Sequence, residues 1–80
     1  MEYYAQSMNK AIYSQEHKRI ANQLKKARIN AGLSQIEASK LLGKTQSYIS
    51  KIEAGQRRAD IVVLRDFARI YNQDINFFIK

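Results

Sequence analysis

Apolar residues recur at helical spacing along most of the chain. Ile20, Leu24, Ala27 and Ala31 fall at i, i+4, i+7 and i+11, which predicts a first helix from near Ser14 to near Ala31. A second is expected over Ser34 to Leu42, with Ala38, Leu41 and Leu42 as its apolar side. Ser34 and Glu37 form an S-x-x-E capping box at its start, which satisfies two otherwise unpaired backbone donors. A third is expected from Thr45, as N-cap, to Ala54, with Ile49 and Ile52 inward. A fourth runs from about Asp60 to Tyr71 and places Val63, Leu64, Phe67, Ala68 and Tyr71 on one face. A short apolar and aromatic element, Ile75 to Ile79, follows.

Gly32, Gly43 and Gly55 each follow a segment of helical periodicity, where glycine favours helix termination. The helices are therefore joined by tight turns. Strand signals are weak, because the β-branched run Ile61-Val62-Val63 lies inside a longer helical pattern. The expected fold is all-α: a compact bundle of about five short helices. Residues 14–80 are expected to form one domain, with residues 1–13 as an N-terminal extension. Within that extension Tyr3, Tyr4, Ile12 and Tyr13 could add a turn or helix, and Met8 is an alternative natural start.

Composition narrows the function classes. The 80 residues contain no cysteine, so disulfide frameworks and thiolate metal sites are excluded. No apolar run approaches the roughly 20 residues of a membrane span. The N-terminus lacks the basic head and apolar run of a secretory signal, and a cytoplasmic location is expected. His17 is the single histidine and is expected at the surface, with no second ligand to complete a metal site. No nucleophile, base and orienting group fall together, so no enzyme activity and no cofactor are expected. Net charge is +7, from 14 lysines and arginines against 7 acidic residues. Such an excess favours polyanions but does not single out nucleic acid.

The segment Ser34 to Ala54 adds the specific signal. Two short helices meet at Leu42-Gly43-Lys44, and a short glycine-containing turn sets helices at a steep angle, as in a helix-turn-helix. The run Leu33-Ser34-Gln35 through Leu42-Gly43, then Thr45-Gln46-Ser47-Tyr48-Ile49-Ser50-Lys51-Ile52-Glu53-Ala54-Gly55, resembles the Cro/repressor-type (XRE) helix-turn-helix family. The likeness covers about Ile20 to Tyr71 and includes the lead-in from Ala27 to Gly32. Ser39 stands where that family commonly has alanine, Lys44 where it often has a small apolar residue, and Ala59 where a proline is frequent.

The resemblance implies a lambda-repressor-like domain whose third helix enters the major groove of double-stranded DNA. By resemblance, Gln46, Ser47 and Lys51 meet bases, and the outward face of that helix adds Ser50. Glutamine can pair bidentately with adenine, and lysine can donate to guanine. By resemblance Gln35 meets a phosphate. Lys44, Thr45, Tyr48, Arg57 and Arg58 surround the same face and are expected at the DNA backbone. The family also pairs the positions of Arg28 and Glu53 in a structural salt bridge. Ile75, Phe77, Phe78 and Ile79 are a candidate homodimer interface, because family members often dimerise through this region, and they would serve equally to close the core. The expected function is thus a sequence-specific transcription regulator, a repressor, binding a pseudo-palindromic operator as a homodimer. An antitoxin-type module that masks a toxin and binds DNA secondarily is the alternative.

Overall fold

The computed structural model describes residues 16–79. The expected extension over residues 1–13 and the helix start near Ser14 lie outside the described residues. Among the described residues five helices follow in order: α1 (His17–Asn30), α2 (Gln35–Leu42), α3 (Gln46–Glu53), α4 (Ile61–Tyr71) and α5 (Asn76–Ile79). Among the described residues there is no strand. The fold is all-α, as the periodicity predicts.

Local chemistry accounts for the helix boundaries. At α2, Glu37 N–H donates to Ser34 Oγ at 3.1 Å and Ser34 N–H donates to Glu37 Oε1 at 2.8 Å, completing the capping box. Those bonds hold the Glu37 carboxyl below its ordinary range, the backbone bond from Ser34 contributing most. Thr45 and Asp60 cap α3 and α4 by accepting from Tyr48 and Val63 N–H. Between α2 and α3, Gly43 is left-handed at φ 74°, and Lys44 N–H turns back to the Ser39 carbonyl at 2.9 Å. That backbone geometry favours glycine, and it lets α3 follow α2 with only three residues between them.

Leu24 and Ala27 of α1, Ala38 of α2, Ile49 and Ile52 of α3, Leu64, Phe67, Ala68 and Tyr71 of α4, and Phe78 of α5 form one buried cluster. The inward faces expected for α3 and α4 are observed, with Val63 only half-buried. Two expectations fail. Ala31 is exposed because α1 ends at Asn30, and Leu41 is 59% exposed at the edge of an open groove it lines with Leu33, Ile70 and Tyr71. Ser39 is buried instead, its hydroxyl donating to the Ile36 carbonyl at 2.7 Å. A small residue there permits close helix approach, and its one polar atom is satisfied.

Helix α5 is held against α1 by Gln23, whose Nε2 donates to the Phe77 carbonyl at 2.9 Å. Phe78 is wholly buried, so it belongs to the core and presents nothing to a second subunit. Ile75 and Phe77 pack half-buried against the core, and Ile79 is the member of this cluster that faces solvent.

Candidate nucleic-acid interface

Helix α3 buries Ile49 and Ile52 and exposes Gln46, Ser47, Ser50 and Lys51. Two aliphatic residues three apart seat one side of the helix on the core. The polar side, with the N-cap Thr45, is left free for a partner. Arg57 and Arg58 are exposed in the loop that follows.

Behind α3 lies a bonded chain of four side chains. Arg28 Nε donates to Glu53 Oε2 at 2.7 Å and its Nη2 donates to Glu53 Oε1 at 3.1 Å, a two-pronged contact between α1 and α3. The third donor, Nη1, reaches the Leu33 carbonyl at 2.8 Å. Both ionic side chains are almost fully covered, at 10% and 5% exposure. The bond to Glu53 raises the Arg28 pKa above its ordinary value. Gln35 Nε2 also donates to Glu53 Oε1, at 3.1 Å, and Gln46 Nε2 donates to Gln35 Oε1 at 3.4 Å.

The direction of this chain follows from its anchor. An ionised carboxylate only accepts, so Gln35 must present its nitrogen to Glu53 and its oxygen outward. Gln46 must then answer with its own nitrogen. Its carbonyl oxygen and second N–H remain available, which is the donor–acceptor pair that reads adenine N6 and N7. Gln35 is half-buried beside the positive end of α2, bonded to Glu53 through one N–H and to Gln46 through its oxygen.

A second cluster forms at the flank of α3. The Lys44 ammonium lies 5.2 Å from the Tyr48 ring centroid, and the Arg57 guanidinium lies 4.7 Å from it. The loop reaches back this far because the Lys51 carbonyl accepts from both Gln56 and Arg57 N–H, at 2.8 and 3.2 Å. His17, expected at the surface, is half-buried, with Nε2 3.1 Å from the Gly55 carbonyl. It thus ties the start of α1 to the loop after α3. This pairing bridges 38 residues and leaves no local signal in the sequence.

The Tyr71 hydroxyl is buried close to the Arg28–Glu53 pair and has no hydrogen-bond partner. Burial raises its pKa well above the ordinary phenol value. Among the described residues no group of His, Asp and Glu could hold a metal ion, and no helix is long and apolar enough to cross a membrane.

Comparison with known proteins agrees with this geometry. A family model described as helix-turn-helix matches residues 24–78, which spans α2 and α3 and the helices that support them. Among solved structures, the chain is similar to the restriction-modification controller protein C.AhdI from Aeromonas hydrophila. The TM-score is 0.75 at 27% identity, over 84% of this chain and 96% of that one. No curated protein sequence matches the chain at a comparable level. The capped α2–α3 pair, its outward polar helix and the family match lead to one conclusion: the chain belongs to the XRE-type helix-turn-helix family of DNA-binding transcription regulators.

Proposed function

We propose that this protein is a sequence-specific repressor that reads the major groove with α3. The observation that carries the reading is the Glu53–Gln35–Gln46 chain, which presents the Gln46 amide in a defined orientation on an exposed helix face. Gln46, Ser47, Ser50 and Lys51 meet base edges in this reading. Gln35, Lys44, Thr45, Arg57 and Arg58 meet the sugar-phosphate backbone and set the docking register, with the Tyr48 ring beside Lys44 and Arg57. Arg28 and Glu53 keep the reading helix seated and take no part in DNA contact.

A homodimer on a two-fold operator is part of the proposal. Its two reading helices would stand about 34 Å apart, one turn of the duplex. Exposed Ile79, with Ile75 and Phe77 half-covered beside it, supports the C-terminal end as the contact between copies. A regulator of this kind works on chromosomal, phage or plasmid DNA in the cytoplasm. Its similarity to a restriction-modification controller favours a genetic-control role over a toxin-masking one.

The test is selection of binding sites from a random duplex library with the full chain, repeated with Gln46→Ala at two salt concentrations. An enriched two-fold symmetric site, relaxed at one position per half-site by Gln46→Ala, is the expected result. Binding that is salt-sensitive but equal for all duplexes would overturn sequence reading and turn attention to a protein partner.

A further inference from the structure

Tyr48 sits at the centre of an unusual grouping. Two cations from different segments approach one ring: Lys44, from the turn before α3, and Arg57, from the loop after it. They repel each other, and among the described residues no carboxylate pairs with either. The ring itself is half-buried and packs against the core, so its position is set by the fold. An aromatic face attracts cations through its quadrupole and can hold both where charge alone would separate them. The grouping is thus a pre-placed double positive charge.

We propose that Tyr48 is a positioning residue whose ring seats Lys44 and Arg57 as one phosphate-gripping unit at the flank of the reading helix, its hydroxyl being dispensable. This rests on the DNA-binding reading above and deepens it by separating the ring from the hydroxyl. Seating long, flexible side chains in advance reduces the ordering cost of each phosphate contact. Because phosphates carry no base identity, the unit raises affinity for all duplexes alike and leaves sequence preference to Gln46 and its neighbours.

The experiment measures binding of the full chain to its selected site and to an unrelated duplex over a range of salt. Tyr48→Leu and Tyr48→Met remove the ring and keep apolar packing, and Tyr48→Phe keeps the ring. Both aliphatic variants are expected to weaken binding to both duplexes by roughly fivefold to thirtyfold, the effect of two exposed cation–aromatic contacts, with a shallower salt slope. Their preferred sequence stays as in the parent, they remain folded at the binding temperature, and Tyr48→Phe restores parental affinity. In a Lys44→Gln, Arg57→Gln background, Tyr48→Leu has no further effect.

The proposal is overturned if Tyr48→Phe is as weak as Tyr48→Leu. It is also overturned if the aliphatic variants bind like the parent, or if Tyr48→Leu still weakens binding once both cations are gone. A parallel titration with inorganic phosphate, followed at the Arg57 Nε–Hε resonance, separates this proposal from the DNA reading. If the parent binds no duplex, the DNA reading falls. A phosphate-induced Arg57 shift that needs the ring would then still support the seating role, and a shift indifferent to the ring would overturn it.

Discussion

Arg28→Ala removes three donors at once. Glu53 loses both prongs of its ion pair and keeps only Gln35 Nε2, while the Leu33 carbonyl loses its contact with Nη1. With the Glu53 side chain 5% exposed, water cannot readily replace the missing charge. Solvent screening, which reduces surface ion pairs to about 0–1 kcal/mol, is therefore small here. Breaking a buried pair on one side costs about 3–5 kcal/mol. An 80-residue domain has roughly 4–12 kcal/mol of stability in total, so this loss is a large fraction of it. At roughly 4–8 °C per kcal/mol for a domain of this size, melting should fall by more than about 12 °C. Urea and thermal unfolding followed by circular dichroism measure it. A companion variant, Arg28→Met with Glu53→Leu, removes both charges and should be more stable than Arg28→Ala alone. A loss below about 1 kcal/mol in Arg28→Ala, the range of a solvated pair, would refute the reasoning.

Four other outcomes follow from the same geometry. Gln35→Ala frees Gln46 from its orienting acceptor, so discrimination at the base opposite Gln46 should drop while general duplex affinity changes less; site selection on the variant checks this, and an unchanged preferred site sinks it. Tyr71→Phe deletes a buried hydroxyl without a partner and should leave the urea midpoint unchanged or raise stability by up to about 1 kcal/mol, whereas a clear loss would reveal a bond that matters. Gly43→Ala meets no atom within 4 Å of the added Cβ, so its cost, roughly 1–2 kcal/mol in equilibrium unfolding, is that of the left-handed backbone alone, and Gly43→Asn should recover part of it. Glu37 has a lowered folded pKa, so its contribution is present above the unfolded value of about 4.3 and is lost as pH falls through the folded one. Hydrogen exchange at the Ser34 amide should accelerate over that acidic window beyond the intrinsic change, and Glu37→Gln should abolish the extra pH dependence.

The parts of this protein legible in its sequence are those set within one turn of chain. Ser34, Thr45 and Asp60 cap their helices through bonds spanning three residues, and Gly43 supplies a backbone conformation that strongly favours its residue type. The inward faces of α3 and α4 were equally legible, because a two-sided helix can hide its apolar stripe in only one way. Periodicity gives the phase of that stripe but not where its cover ends. Leu41 continues the pattern of α2, yet it borders an open groove with Leu33, Ile70 and Tyr71 instead of entering the core. The C-terminal aromatics show the same limit: in a four-residue helix the pattern alone cannot rank Phe77, Phe78 and Ile79, and docking on α1 through Gln23 buries Phe78. The candidate site divides along this line. The outward residues of α3 could be read from its spacing, and the motif resemblance implied the Arg28–Glu53 pair. The bonds from Glu53 to Gln35, from His17 to Gly55, and the approach of Arg57 to Tyr48 join residues 18, 38 and 9 positions apart. No local preference encodes such distances; they exist because the packing of the helices brings those side chains within reach.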